Sequence, residues 1–248
     1  MSGGVLVIGA GGGVGAAVCA RLSARGVPLL LTGRDAERLA AVGKATGGVT
    51  MPGDAADAAH MEACVKACVE RHGGIAGAVN CAGSLLLKPA HLTTPAEFQA
   101  TLTANLVTAF NLVRSAAPVM GAGGAGGDGG SIVLCASAVA RHGFANHEAI
   151  AAAKAGVIGL MLSAAATYAP KGVRVNCVAP GLTRTPLTER LFASEASLKA
   201  SQAMHPMGRT SEPEDVAAAI EFLLSAGARN ITGQVLNVDA GLGSLRAR

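Results

Sequence analysis

The sequence predicts a doubly wound α/β fold, a parallel sheet with helices on both faces. Three observations predict it. Short apolar runs recur at residues 5–9 (VLVIG), 28–33 (PLLLTG), 77–83 (GAVNCAG), 131–137 (SIVLCAS), 173–181 (VRVNCVAPG) and 234–241 (QVLNVDAG). None of them alternates with polar residues, which is the mark of strands buried on both faces. Helix-length segments separate the runs, and parallel strands need such crossovers.

A chain of 248 residues, 50% hydrophobic and 15% charged, can bury a large core as one domain spanning 1–248. The first 22 residues resemble a signal peptide in apolarity, yet no positive segment precedes the run and glycines interrupt it. They are read as structure: a first strand entering the turn GAGGGVG, from Gly9 to Gly15, and then a helix. A glycine turn between a first strand and a helix lets backbone N–H groups approach a pyrophosphate whose charge the helix N-terminus favours. This makes the fold Rossmann-type and the cofactor a dinucleotide.

The second run ends in Gly33 and Arg34. An acidic residue at the end of this strand would accept hydrogen bonds from a ribose 2′-hydroxyl and repel a 2′-phosphate, whereas an arginine can pair with the phosphate. NADP(H) is therefore favoured over NAD(H). In the next helical segment His60, Cys64, Cys68 and His72 recur every fourth residue. The outer two would stand roughly 18 Å apart on a helix, too far for one metal, so the pattern is a helix stripe and no metal is expected.

GAGGAGGDGG, at 121–130, feeds a strand instead of a helix and is read as a flexible surface loop. The apolar stretch 149–169 carries Lys154 near its start, which fits a buried or subunit-contact helix better than a membrane span. The net charge of +4 comes from scattered basic residues, with one Tyr and five Phe, so a nucleic-acid partner is not expected. The six cysteines lack a CxxC pair and lie in apolar contexts, which suits reduced thiols and a cytoplasmic protein.

The spacing of Gly9, Gly13 and Gly15 resembles the classical short-chain dehydrogenase/reductase family, and the likeness extends along nearly the whole chain. Asp54 is similar to that family's adenine-contacting aspartate. NCAG, from Asn80 to Gly83, resembles its NNAG turn, and Asn105 falls where its helix asparagine sits. Ser137 ends the fourth run, Lys154 matches the lysine of Y-x-x-x-K, and Pro180, Gly181 and Thr185 resemble the contact to the nicotinamide amide. The tail, GRTSEPEDVAAAIEFLLS followed by ITGQVLNVDAG, continues the likeness.

The resemblance implies hydride exchange between a nicotinamide and a hydroxyl or keto group. A tyrosine phenol would exchange the proton, a lysine would lower its pKa and hold the ribose, a serine would polarise the carbonyl, and an asparagine would support a relay water. Here the tyrosine position holds Ile150, and Ile8 replaces a threonine common before the first glycine. The one tyrosine, Tyr168, lies 18 residues beyond Ile150 on the same helix, about 27 Å away. His147 stands two helical turns before Lys154, which would place the side chains on nearly one face; the enoyl-reductase branch of the family carries its tyrosine at that spacing. The alternative is that Asn146 to Glu148 is an exposed helix start, with Asn146 as its cap.

Residues 183–206 form a longer insertion, a place for a substrate lid. They mix Leu182, Leu187, Leu191, Phe192, Leu198 and Met204 at their edges and within with Arg184, Arg190 and Lys199, which suits an acyl thioester or an ordinary amphipathic cover. Two functions follow. One is an oxidoreductase with an impaired or unconventional active site, acting on a small molecule as a homo-oligomer. The other is a non-catalytic subunit of a hetero-oligomer with a complete paralogue. The family's dimers and tetramers commonly form through the helices that here hold 100–118 and 149–168.

Overall fold

A computed structural model describes residues 3–120 and 129–245. In chain order the elements are β1 (Gly4–Ile8), α1 (Gly13–Ser23), β2 (Leu29–Gly33), α2 (Ala36–Thr46), β3 (Val49–Pro52), α3 (Ala58–His72), β4 (Ile75–Asn80) and α4 (Pro95–Leu102). A π-turn (Thr103–Val107) leads to α5 (Thr108–Met120), then β5 (Ser131–Cys135), α6 (Glu148–Tyr168) and β6 (Arg174–Pro180). The short α7 (Glu189–Phe192), α8 (Glu195–Met204), α9 (Pro213–Leu224) and β7 (Val235–Val238) complete the chain. All the strands belong to one parallel sheet in the order β3-β2-β1-β4-β5-β6-β7.

The missing polar alternation has a direct physical cause. Along β1, Leu6 and Ile8 enter a core with Met61 of α3, Leu112 of α5 and Met161 of α6. Val5 and Val7 point the other way, into a second core with Val18 and Leu22 of α1 and Ile220 of α9. Both faces of the sheet are thus covered, and the polar residues buried on it, such as Asn80 and Asn176, are hydrogen-bonded.

Three elements differ from the sequence reading. β3 escaped it: the strand is four residues long, half-exposed, and ends at Pro52. It is an edge strand, held only by its pairing with β2 from Leu30↔Val49 to Gly33↔Pro52, so it carries no buried apolar run. The helix read through 100–118 is broken by the π-turn at Thr103–Val107. Helix α6 begins at Glu148, so His147 is its cap residue and not part of its first turn. The glycine-rich stretch read as a loop falls, at residues 121–128, outside the described residues.

Helix α6 with the following turn is long and apolar enough to cross a membrane by length and composition. In this fold its Val157 and Met161 belong to the sheet core, and Lys154 is buried alongside them.

The strand order reverses between β1 and β4, whose registered ends are Ile8 and Asn80. In open α/β sheets the crevice outside the carboxyl ends of strands at such a switch point is the ligand site.

Candidate active site

A cleft of about 970 Å³ opens at that switch point. Its floor begins where β1 turns at Gly9, whose φ of +72° and closeness to the next strand exclude a side chain: an added Cβ would lie 2.7 Å from the Ala82 nitrogen. Gly12 N–H donates to the Gly9 carbonyl at 3.0 Å, closing the turn. Gly12 caps α1 without a side-chain hydrogen bond, and the first turn of α1 holds no acidic residue. The N–H groups there face the cleft with no internal anion, the arrangement that receives a pyrophosphate. Gly15 is buried inside that first turn, and Gly13 packs beneath Thr185, whose Cγ2 lies 2.9 Å from where a Gly13 Cβ would stand.

Gly33, Arg34 and Asp54 line the far end of the cleft. Arg34 is exposed at its rim. Asp35 caps α2 by accepting from Arg38 N–H at 3.0 Å, and its carboxylate also pairs with Arg38 Nε at 3.2 Å. Arg38 therefore lines the same end as a second cation, which the sequence reading did not single out. Asp54 Oδ1 accepts from Ala56 N–H at 2.9 Å. The loop that carries it is held by Asn111 of α5, whose Nδ2 donates to the carbonyls of Ala55 (3.0 Å) and Ala56 (2.9 Å). Asn111 was also not singled out, because nothing local in the sequence links it to a loop more than fifty residues away.

At the opposite end the chain gathers Asn105, Lys154 and Gly83. A Cβ on Gly83 would stand 2.8 Å from Asn105 Oδ1 and 3.6 Å from Lys154 Nζ, so both polar groups lie close behind the turn and the glycine leaves room for Asn105. Lys154 Nζ donates to the Cys135 carbonyl at 2.7 Å. Burial lowers its pKa, and the neighbouring Cys135 partly opposes that shift. Asn105 sits in the π-turn, with Nδ2 donating to the Thr101 carbonyl (2.9 Å) and Ser84 Oγ (3.1 Å), and Oδ1 accepting from Ser84 N–H (3.3 Å). Such π-turns are frequent at functional sites, where they re-aim a side chain.

Asn80 stands below the cleft as a support. It is buried, accepts from Ala82 N–H at 2.9 Å and donates to Thr108 Oγ1 at 3.1 Å, and so shapes the Cys81–Gly83 turn. Ser137 follows β5 and starts a short turn, its Oγ accepting from Val139 N–H at 3.4 Å. β6 ends at Pro180. Gly181 N–H donates to Val238 O at 3.1 Å, and the glycine is wedged between His205 and Asp239.

The proton-donor candidates separate clearly. Ile150 is buried on α6. Tyr168 ends that helix, with Lys171 Nζ 5.9 Å from its ring centroid. His147 has cap geometry (φ −112°, ψ 13°), its Nδ1 lies 2.7 Å from the Ala145 carbonyl, and its ring leans on Phe144 at 5.7 Å. His147 is thus the N-cap, one residue before the helical turns that carry Lys154, and its carbonyl accepts from Ala151 N–H at 2.7 Å. Asn146 does not cap: its φ is +63° and its carbonyl accepts from Lys88 N–H at 2.8 Å.

Of the insertion 183–206, Thr185 and Leu187 line the cleft. Arg184 is bound to Glu212 at 3.4 Å and stacks over the Phe192 ring at 4.3 Å, and Lys199 pairs with Glu195 at 2.8 Å. Both charges are thereby engaged within the fold. His60, in the stripe set aside as a metal site, lies 2.8 Å from Thr32 Oγ1 and ties α3 to β2.

Comparison with known proteins agrees with this architecture. Residues 9–243 match the family described as enoyl-(acyl carrier protein) reductase. Levodione reductase of Leifsonia aquatica is 34% identical over 251 residues, covering 96% of this chain and 92% of that protein. A short-chain type dehydrogenase/reductase from Mycobacterium ulcerans superposes with a TM-score of 0.92 at 32% identity, covering 100% of this chain and 93% of its own. The 3-ketoacyl-(acyl-carrier-protein) reductase from Brucella melitensis, solved in complex with NADH, gives 0.88 at 28% identity, covering 96% and 97%. The seven-stranded parallel sheet, the glycine turn at its switch point and these full-length likenesses place the chain in the classical short-chain dehydrogenase/reductase family.

Proposed function

We propose that this chain is an NAD(P)(H)-dependent oxidoreductase acting on a hydroxyl or keto group of a small molecule, with a weakened proton-transfer step. The observation that carries the reading is the placement of Lys154 Nζ and Asn105 Oδ1 close behind Gly83, which lines the glycine-floored cleft. When bound, the nicotinamide supplies or accepts the hydride. The first turn of α1 would hold the pyrophosphate, Asp54 the adenine end, and Lys154 the nicotinamide ribose; Thr185, Pro180 and Gly181 would orient the carboxamide, and Ser137 would polarise the substrate oxygen. NADP(H) is favoured over NAD(H) because Gly33 holds the place of a ribose-reading acid and the exposed Arg34 follows it, with Arg38 beside them paired to Asp35.

Ile150 has no proton to exchange at the position this family gives to its tyrosine. Acid–base assistance is typically worth ~10²- to 10⁴-fold, so turnover falls by that order and hydride transfer leans on water. An acyl thioester is the proposed substrate class, supported by the similarity to a ketoacyl reductase and by the apolar Leu187 lining the cleft mouth.

A second reading is a non-catalytic subunit paired with a complete paralogue. Ile150 favours it, as do Phe110 on α5 and Leu162 on α6, each 52% exposed on helices of the kind this family uses for assembly. One series separates the two: titrate NADPH and NADH by fluorescence, then assay a simple ketone and a 3-ketoacyl thioester with wild type and Ile150→Tyr. Nucleotide binding with slow turnover that rises about 10²-fold or more in Ile150→Tyr supports the enzyme. Absence of binding to either nucleotide removes it and leaves the subunit reading.

A further inference from the structure

Two cysteines take no part in the scheme above. Cys81 and Cys135 follow and end the adjacent parallel strands β4 and β5, whose last registered pair is Asn80↔Leu134. They are the next pair along the ladder. Neighbouring strands lie about 4.8 Å apart, inside the Cα separations that disulfides bridge. The sulfurs are already 4.0 Å apart, about 2 Å beyond a disulfide bond length. Both residues are partly exposed and Cys81 lines the cleft, whereas Cys19, Cys64, Cys68 and Cys177 are buried.

We propose that Cys81 and Cys135 form a peroxide-sensitive dithiol that closes to a disulfide in the floor of the cleft. The electrostatics of the pair assist. The sulfur–sulfur contact leads in lowering the Cys135 pKa, with burial opposing and Lys154 assisting, while the same contact raises that of Cys81. By contrast burial pushes Cys19, Cys68 and Cys177 up to about 12, which keeps them as thiols.

The chemistry balances. The Cys135 thiolate attacks one oxygen of a hydroperoxide; an S–O bond forms, the O–O bond breaks, and the departing oxygen takes up the thiol's proton as water or alcohol. Cys81 then attacks the sulfenic sulfur; the S–S bond forms, the S–O bond breaks, and hydroxide leaves with the Cys81 proton as water. Two thiols lose two electrons and the peroxide gains them.

The test treats the purified full chain with limited hydrogen peroxide, alkylates free thiols under denaturing conditions, and maps peptides without reduction. The expected result is loss of two of the six alkylatable cysteines, a cross-linked Cys81–Cys135 peptide, and full recovery on adding dithiothreitol. In Cys81→Ser and Cys135→Ser the cross-linked peptide is absent, and in Cys81→Ser a sulfenic acid is trapped at Cys135 by a dimedone-type reagent. Three results would overturn the proposal: all thiols surviving, a bridge elsewhere such as Cys64–Cys68, or irreversible sulfinic acid without a bridge in the wild type.

Discussion

Lys154 Nζ donates a 2.7 Å hydrogen bond to the carbonyl oxygen of Cys135, joining the long apolar helix α6 to the end of β5. Burial of this ammonium lowers its pKa, with Cys135 in partial opposition. The folded value therefore lies below the unfolded one, near ~10.4, and in the window between them the unfolded chain binds more protons, so stability rises with pH there. Lys154→Met abolishes that contribution. Chemical denaturation at about pH 8 and about pH 10 should show the stability difference, wild type minus Lys154→Met, growing in favour of wild type. A flat or falling difference would show that Lys154 is not desolvated.

His147→Ala tests the imidazole as a proton donor. Because Nδ1 is directed to the Ala145 carbonyl and the residue caps α6 outside its helical turns, kcat and kcat/KM should each change by less than about twofold. A loss of tenfold or more in kcat, with KM steady, would return His147 to the mechanism.

Arg34→Ala addresses cofactor choice. A charge-assisted hydrogen bond is worth about 1.5–3 kcal/mol, so NADPH affinity should fall roughly ten- to a hundredfold. NADH, which lacks the 2′-phosphate, should lose less than about twofold. Equal losses for both nucleotides would mean that Arg34 stacks on the adenine.

Glu97 offers a pH readout remote from the chemistry. Lys88 Nζ donates to both its carboxylate oxygens at 2.9 Å, and Thr94 adds backbone and hydroxyl donors. Together these push the carboxyl down to about 2, the Lys88 bond leading. For a depressed carboxylate the stabilisation is present above the unfolded value and is lost as pH falls through the folded one. Carboxyl-detected NMR should place its midpoint near 2 in the wild type and well above that in Lys88→Met. An unmoved midpoint would mean that the Lys88–Glu97 pair does not persist in solution.

Legibility followed the range over which each signal acts. The glycine turn could be read because strand, turn and helix are contiguous, and both-face burial of the sheet is written into β1 as an unbroken apolar run. Strand β3 could not, since an edge strand with one neighbour needs no buried run of its own. Asn111 and Arg38 were missed for a related reason: the first acts on a loop distant in sequence, and the second reaches the cleft only through the turn of α2 and the grip of Asp35. The hold of the Ala145 carbonyl on His147 Nδ1 could not be read either, since the spacing of His147 to Lys154 says nothing of the turn before the helix.

By itself the sequence determined the α/β class and the glycine floor, because strand patterning and motif spacing are local and survive without knowledge of contacts. Only the tertiary structure decided which groups come together: that Lys154 and Asn105 both lie close behind Gly83, and that Cys81 and Cys135 face each other across neighbouring strands. These are juxtapositions of residues about twenty to seventy positions apart. They arise from strand order and helix packing, which one chain's linear spacing does not encode.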